Sequence, residues 1–147
     1  MKRVWVTLAV VVLLTTLSTG CVHRAPDAGK RVERTILCTG YCPCGKCCNW
    51  KRTWYGKKVV ASGPNKGKPK KVGQTARGTQ AKVGTIAADT SIYPFGTRMF
   101  VPGYGYGVVE DRGSAIKGHH IDLFFPKHTT AAKWGRQSKR VQVWLPR

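Results

Sequence analysis

The stretch Gly84 to Pro126 reads GTIAADTSIYPFGTRMFVPGYGYGVVEDRGSAIKGHHIDLFFP. It breaks into short runs rich in β-branched and aromatic residues. Lys82 to Ala88 (KVGTIAA) leads into it, and Thr97 to Val101 (TRMFV), Tyr106 to Glu110 (YGVVE) and His119 to Phe124 (HHIDLF) follow. Pro94-Phe95-Gly96, Pro102-Gly103 and Arg112-Gly113 separate them. Runs of this length, bounded by Gly/Pro turn residues, read as strands. Three aspartates punctuate them. Asp89 lies in the turn after the first run, Asp111 directly follows YGVVE, and Asp122 sits inside the last.

Working outward, Glu33 to Tyr41 (ERTILCTGY) predicts a preceding strand and Arg140 to Leu145 (RVQVWL) a final one. Between the last two strands, Pro126 to Gly135 (PKHTTAAKWG) reads as a short helix. Thr129 or Thr130 is its candidate N-cap and Gly135 its C′ residue. Six short strands and one helix point to a mainly β fold, a small closed barrel rather than a βαβ sheet. No repeat or sustained heptad is present, which excludes solenoids and coiled coils. Residues 50–82 hold ten Lys/Arg and no acid, broken by Gly63, Pro64, Gly67 and Pro69. They read as a long basic loop, either a solvated surface or a clamp on an anionic polymer. The glycines lack the spacing and the strand–helix frame of a phosphate-binding loop.

The N-terminus reads as an address. Lys2 and Arg3 precede the apolar run Val4 to Leu17, and Ser18-Thr19-Gly20 leads to Cys21. This is the pattern of a bacterial secretory signal over residues 1–20, with Cys21 the candidate lipidation site that anchors the chain to a membrane. His23 to Arg34 is polar, with Pro and Gly, so residues 21–34 read as a tether. The folded domain is expected over 35–147: a Cys-rich start and basic loop over 35–82, and an aspartate-bearing core over 83–147. The chain of 147 residues carries a formal charge of +20. Such a balance implies an anionic partner. Export turns that partner away from nucleic acid and toward an envelope polymer.

The chain has only six acids, and four follow Thr35: Asp89, Glu110, Asp111 and Asp122. If the last run alternates, Asp122 faces away from Ile121 and Leu123, on the side of His120 and Phe124. A carboxylate inside an apolar strand is costly unless it is hydrogen-bonded or functional. Ion pairing with the abundant Lys/Arg would explain one such aspartate. Three among so few acids argue for a site.

The residues Gly84 to Asp89, Pro94 to Thr97, Asp111 to Gly118 and Asp122 to Phe125 together resemble the bacterial 3D domain, named for its three aspartates. They also resemble the C-terminal catalytic part of the MltA family of lytic transglycosylases. The aspartate spacing of 22 and then 11 residues fits, as does the tail AAKWGRQSKRVQVWL. Ser114 departs from a Gly of the pattern, and Thr75-Ala76-Arg77-Gly78 departs from Thr-Ala-Ser-Gly. The resemblance covers about residues 72–146. It implies a double-psi β-barrel that cleaves the glycosidic bond between N-acetylmuramic acid and N-acetylglucosamine in peptidoglycan, leaving 1,6-anhydro ends. It implies Asp122 as the acid that becomes a base, with Asp111 and Asp89 as catalytic neighbours, and a place at the periplasmic side of the envelope, lipid-anchored to the outer membrane. A glycoside hydrolase using Asp111 as its second carboxylate, and a peptidoglycan-binding lipoprotein without catalysis, are the alternatives.

Lys117, His120 and Thr75 are candidate substrate contacts, although a surface charge or a packed histidine is an equally simple account of the first two. Trp50, Trp54 and Tyr55 are candidates to stack on sugars, with core packing the simpler account. No cofactor is expected. Cys38 is expected to be a small core residue. Cys42, Cys44, Cys47 and Cys48 remain; an exported chain makes them disulfide candidates, with a four-cysteine metal site the weaker alternative.

Overall fold

The computed structural model describes residues 30–146. The signal segment over 1–20, Cys21 and most of the expected tether lie outside them. Strand β1 (Arg31–Tyr41) opens the domain, so Arg31 to Arg34, assigned to the tether, belong to the sheet. After a helical turn α1 (Gly45–Cys48) come β2 (Trp50–Arg52), β3 (Lys58–Val60), β4 (Thr85–Ala88), β5 (Arg98–Val101), β6 (Gly105–Asp111), β7 (His120–Phe124), helix α2 (His128–Trp134) and β8 (Gln137–Trp144). Among the described residues no helix is long and apolar enough to cross a membrane.

Six strands close a mixed barrel in the order β1-β7-β4-β6-β5-β8. β1 pairs with β7, and β4 with β6, in parallel. The remaining barrel pairings are antiparallel. The period-2 pattern of the strands explains the closure, because every second residue points inward. Ile36 and Cys38, Ile86 and Ala88, Met99 and Val101, Ile121 and Leu123, and Val141 and Val143 meet in one buried core with Val109 and Tyr93. Cys38 is thus a core residue as expected, and burial pushes its thiol up to about 11.

Two expectations need correction. The stretch read as an unbroken basic loop contains the β2–β3 hairpin, whose turn holds Trp54 and Tyr55 in the open. Trp54 is 96% exposed, which rules out core packing for it. Helix α2 is capped by Lys127, not by Thr129 or Thr130, and Lys127 gives no side-chain cap bond. The expected end at Gly135 does hold: its φ of 67° is in the region glycine tolerates.

Helix α2 packs on β1 through Gly40. A Cβ there would come within 2.9 Å of the Phe125 ring and 3.1 Å of the Ala131 carbonyl oxygen. Replacing Gly40 with Ala should therefore lift α2 from the sheet and cost about 1–3 kcal/mol. Chemical denaturation should show a lower midpoint with little change in slope. A midpoint equal to wild type would mean that the helix does not seat on this glycine.

Candidate active site

The strand registers bring two of the three aspartates onto one row. Thr39 of β1 pairs with Asp122 of β7, Asp122 pairs with Ala87 of β4, and Ala87 pairs with Asp111 of β6. Partners on neighbouring strands share a face. The four residues therefore lie side by side across the outside of the barrel, where Ala87 packs with Tyr41 and Phe124. Asp122 faces away from the core residues Ile121 and Leu123, as alternation requires.

Asp111 reaches this face through an irregularity. Val109 points into the core, so strict alternation would aim Asp111 inward as well. The β4–β6 register slips by one residue between Ile86–Val109 and Ala87–Asp111. An extra residue of this kind re-aims the side chains beyond it. The slip turns Asp111 outward beside Ala87, two strands from Asp122 and about 10 Å away between backbones at the usual strand spacing.

The surroundings of the two carboxylates differ. Asp122 is largely shielded, and burial pushes its carboxyl above the ordinary aspartate range. The Thr39 hydroxyl and His120 oppose that shift, and the charge of Asp111 adds to it. Thr39 Oγ1 donates to Asp122 Oδ1 at 2.8 Å and lies 3.0 Å from His120 Nε2. With its single proton given to the carboxylate, the hydroxyl accepts from His120 Nε2–H. Asp111 meets donors only. The N–H groups of Ala76 and Arg112 each donate to Oδ1 at 2.9 Å, and the Tyr41 hydroxyl donates to Oδ2 at 3.4 Å. Burial, followed by the charge of Asp111, raises the Tyr41 phenol far above its usual value, so it stays a proton donor.

Tyr41, Asp111, Arg112 and Asp122 line a groove of about 370 Å³. Lys70 and Lys71 of the basic segment and Arg112 supply positive charge along its wall. The segment is thus partly groove wall, and its remaining residues are mostly exposed. A hollow of about 400 Å³, lined by Lys82, Arg98, Tyr106 and Glu110, holds none of the three aspartates.

Other expected contacts lie elsewhere. Asp89 lines a neighbouring hollow with Lys117, separated from the groove by the Arg112–Ile116 loop. Its Oδ1 accepts from the Ser91 hydroxyl at 2.7 Å and the Ser91 N–H at 3.2 Å, and its Oδ2 accepts from Gly118 N–H at 3.0 Å. The Ser91 hydroxyl, then the Gly118 and Ser91 N–H groups, hold it below the usual carboxylate range. Asp89 therefore clips the loop after β6 to the end of β4. Thr75 is buried, with its hydroxyl 2.9 Å from that of Thr79. It shapes the turn that delivers Ala76 N–H to Asp111 and does not open onto the groove. The five described cysteines stand as free thiols, and among the disulfide candidates the sulfurs of Cys42 and Cys47 lie 3.7 Å apart. Cys48 lines the groove, and its Sγ donates to the Cys42 carbonyl at 3.2 Å.

Thr39, Tyr41 and Ala76 were not singled out from the sequence. Strand alternation put Thr39 and Tyr41 on one face of β1, but nothing local reveals that β1 lies beside β7.

Residues 84–146 match the 3D domain. Two Bacillus subtilis proteins are similar: YabE, named for cell wall shaping, is 40% identical over 75 residues, covering 48% of this chain and 18% of its own. The cell wall-binding protein YocH is 41% identical over 58 residues, covering 40% of this chain and 20% of its own. The chain thus spans about a fifth of the length of these curated relatives. Among solved structures, Escherichia coli MltA matches with a TM-score of 0.44 and 26% identity, covering 54% of this chain and 30% of that one. The same protein with bound chitohexaose matches with a TM-score of 0.43 and 25% identity, covering 60% and 32%. The three aspartates and strands β4 to β8 all lie within residues 84–146, the part of this chain that matches the 3D domain.

Proposed function

We propose that the protein is a lytic transglycosylase that cuts peptidoglycan glycan strands in its lysine-lined groove. The observation that carries this reading is Asp122, a shielded carboxyl with raised proton affinity, held by Thr39 and facing an open groove beside a second carboxylate. A group that serves as acid and then as base works best with its pKa near ambient pH. In this reading protonated Asp122 gives its proton to the oxygen linking N-acetylmuramic acid to N-acetylglucosamine. That C–O bond breaks, and the departing sugar leaves as an alcohol. Asp122, now a carboxylate, takes the proton from the muramyl 6-hydroxyl, and O6 bonds to C1 to close the 1,6-anhydro ring. The nucleophile is part of the substrate, so no water is consumed.

Asp111 stabilises positive charge on the sugar and keeps Asp122's proton affinity up. His120 holds Thr39, and Asp89 and Lys117 set the loop that borders the groove. The mixed parallel and antiparallel pairing of the barrel supports the double-psi reading of its crossings. We place the protein in the cell envelope, with Cys21 as its lipid anchor. The cell-wall names of the two relatives support that address.

Purified sacculi digested by the protein should release 1,6-anhydromuropeptides, read by mass spectrometry. Asp122→Asn should lower their yield about 10²–10⁴-fold while circular dichroism stays native. Products with ordinary reducing ends would make the enzyme a hydrolase using Asp111 as base. A second reading, a wall-binding module without catalysis, is favoured by the basic groove and by the name of one relative. Bound sacculi with no soluble products, unchanged by Asp122→Asn, would establish it.

The same variant tests the electrostatics. Folded Asp122 holds its proton more tightly than the unfolded chain, whose aspartate titrates near 3.8. Stability is therefore lost as pH rises from 3.8 through the higher folded value, and the cost is complete above it. Asp122→Asn removes this cost, so the variant should melt a few degrees above wild type at neutral pH. That gain should shrink on acidification toward pH 3.8; a gain that grows would contradict the assignment.

The hairpin tip gives a separate prediction. Trp54 and Tyr55 stack edge to face with ring centroids 5.3 Å apart, in the open. Trp54→Ala should leave the melting temperature unchanged and weaken sacculus binding several-fold. Equal binding would make the tip a bystander.

A further inference from the structure

The end of β1, the α1 turn and the start of α2 bring four ligand-type atoms together. Cys42, Cys44, Cys47 and His128 offer one atom each, all within 4.8 Å of one another. His128 Nδ1 lies 3.7 Å from Cys42 Sγ, 3.5 Å from Cys44 Sγ and 3.6 Å from Cys47 Sγ. The sulfurs of Cys42 and Cys47 are 3.7 Å apart. These distances have a simple geometric meaning. Zinc bonds of about 2.3 Å to sulfur and 2.0–2.1 Å to nitrogen, set tetrahedrally, place ligand sulfurs about 3.8 Å apart and sulfur and nitrogen about 3.6 Å apart. The separations are those of the edges of such a tetrahedron, and a direct S–S bond is far shorter, about 2.05 Å.

The local chain is built for this. Cys44 caps α1, and its carbonyl accepts from Cys48 N–H at 2.9 Å, which curls Cys44 and Cys47 toward one side. Gly45 is needed because a Cβ there would run into the Trp50 carbonyl. Trp50 Nε1–H in turn donates to the Pro43 carbonyl at 2.9 Å and closes the turn. The fourth ligand arrives from far along the chain, carried by α2, which Gly40 lets settle on β1.

We propose that Cys42, Cys44, Cys47 and His128 bind one zinc ion as a structural centre. Three thiolates and an imidazole in a tetrahedron select zinc over harder cations. Four protein ligands leave no open position, so the ion holds structure and performs no chemistry on substrate. It fastens α2 to the Cys-rich turn, whose Cys47 and Cys48 form part of the groove wall. The ligand set differs from the four-cysteine alternative: His128 takes the place of Cys48, whose sulfur is engaged with the Cys42 carbonyl. The proposal stands independently of the reaction the groove performs.

The full-length protein, purified without reductant or chelator, should contain about one zinc per chain by elemental mass spectrometry. Replacing zinc with cobalt should give the intense visible bands of a tetrahedral sulfur-rich site. His128→Ala and Cys44→Ser should lower zinc content at least several-fold, whereas Cys48→Ser should retain it. Chelator should lower the wild-type melting temperature. Zinc at background in the wild type would overturn the proposal, whether two thiols are missing as a Cys42–Cys47 disulfide or all remain free. Full zinc occupancy in His128→Ala would overturn the ligand set.

Discussion

One residue of slippage between β4 and β6 decides where Asp111 points. Without it, the strand would carry a carboxylate into a barrel filled by Ile86, Val109, Ile121 and Leu123, at a desolvation cost no partner there could offset. With it, Asp111 joins Asp122 on the outer face across the small side chain of Ala87. The rest of the site depends on that placement. The Thr75–Thr79 turn presents Ala76 N–H to Asp111, Tyr41 reaches the same carboxylate, and Asp111's charge acts on Asp122.

Asp89 and Asp122 show how environment sets the proton affinity of one residue type. Asp89 is open to solvent and surrounded by donors, so it stays a firm anion that ties down a loop. Asp122 is shielded, has one donor hydroxyl and sits near another carboxylate, so it holds its proton more tightly than an ordinary aspartate. The excess of Lys/Arg sharpens this contrast. In a chain of charge +20 the cheap way to keep an aspartate ionised is an ion pair, and Glu33 makes one with Arg140 on the surface. No such pair is formed by Asp111 or Asp122 among the described residues. The groove instead brings Lys70 and Lys71 into one lining with the two carboxylates.

Much of the fold was legible because it is local. Gly/Pro turns and β-branched runs marked all six barrel strands, and Gly135 marked the end of α2. The β2–β3 hairpin was missed because its strands are three residues each and lysine-rich, which masks β periodicity. The site was only half legible. Asp122's outward face followed from alternation, but the groove is made by parallel pairing of β1 with β7 and by the β4–β6 slip, both non-local. Pattern points to Thr75 as a substrate contact and to Asp89 as a catalytic neighbour, whereas the hydrogen bonds that occupy them are visible only in three dimensions. His128 escaped notice for the same reason. A Cys-x2-Cys knuckle with too few partners nearby was the available signal that a distant ligand completes it.

The raised proton affinity of Asp122 underlies the whole account and can be measured directly. Carbon-13 NMR of its side-chain carboxyl, followed through a pH titration, should give a midpoint above the ordinary value of 3.8. The midpoint should fall in Asp111→Asn, which removes a like charge, and rise in Thr39→Val, which removes the donor to the anion. A midpoint at or below 3.8, unmoved by either change, would contradict it.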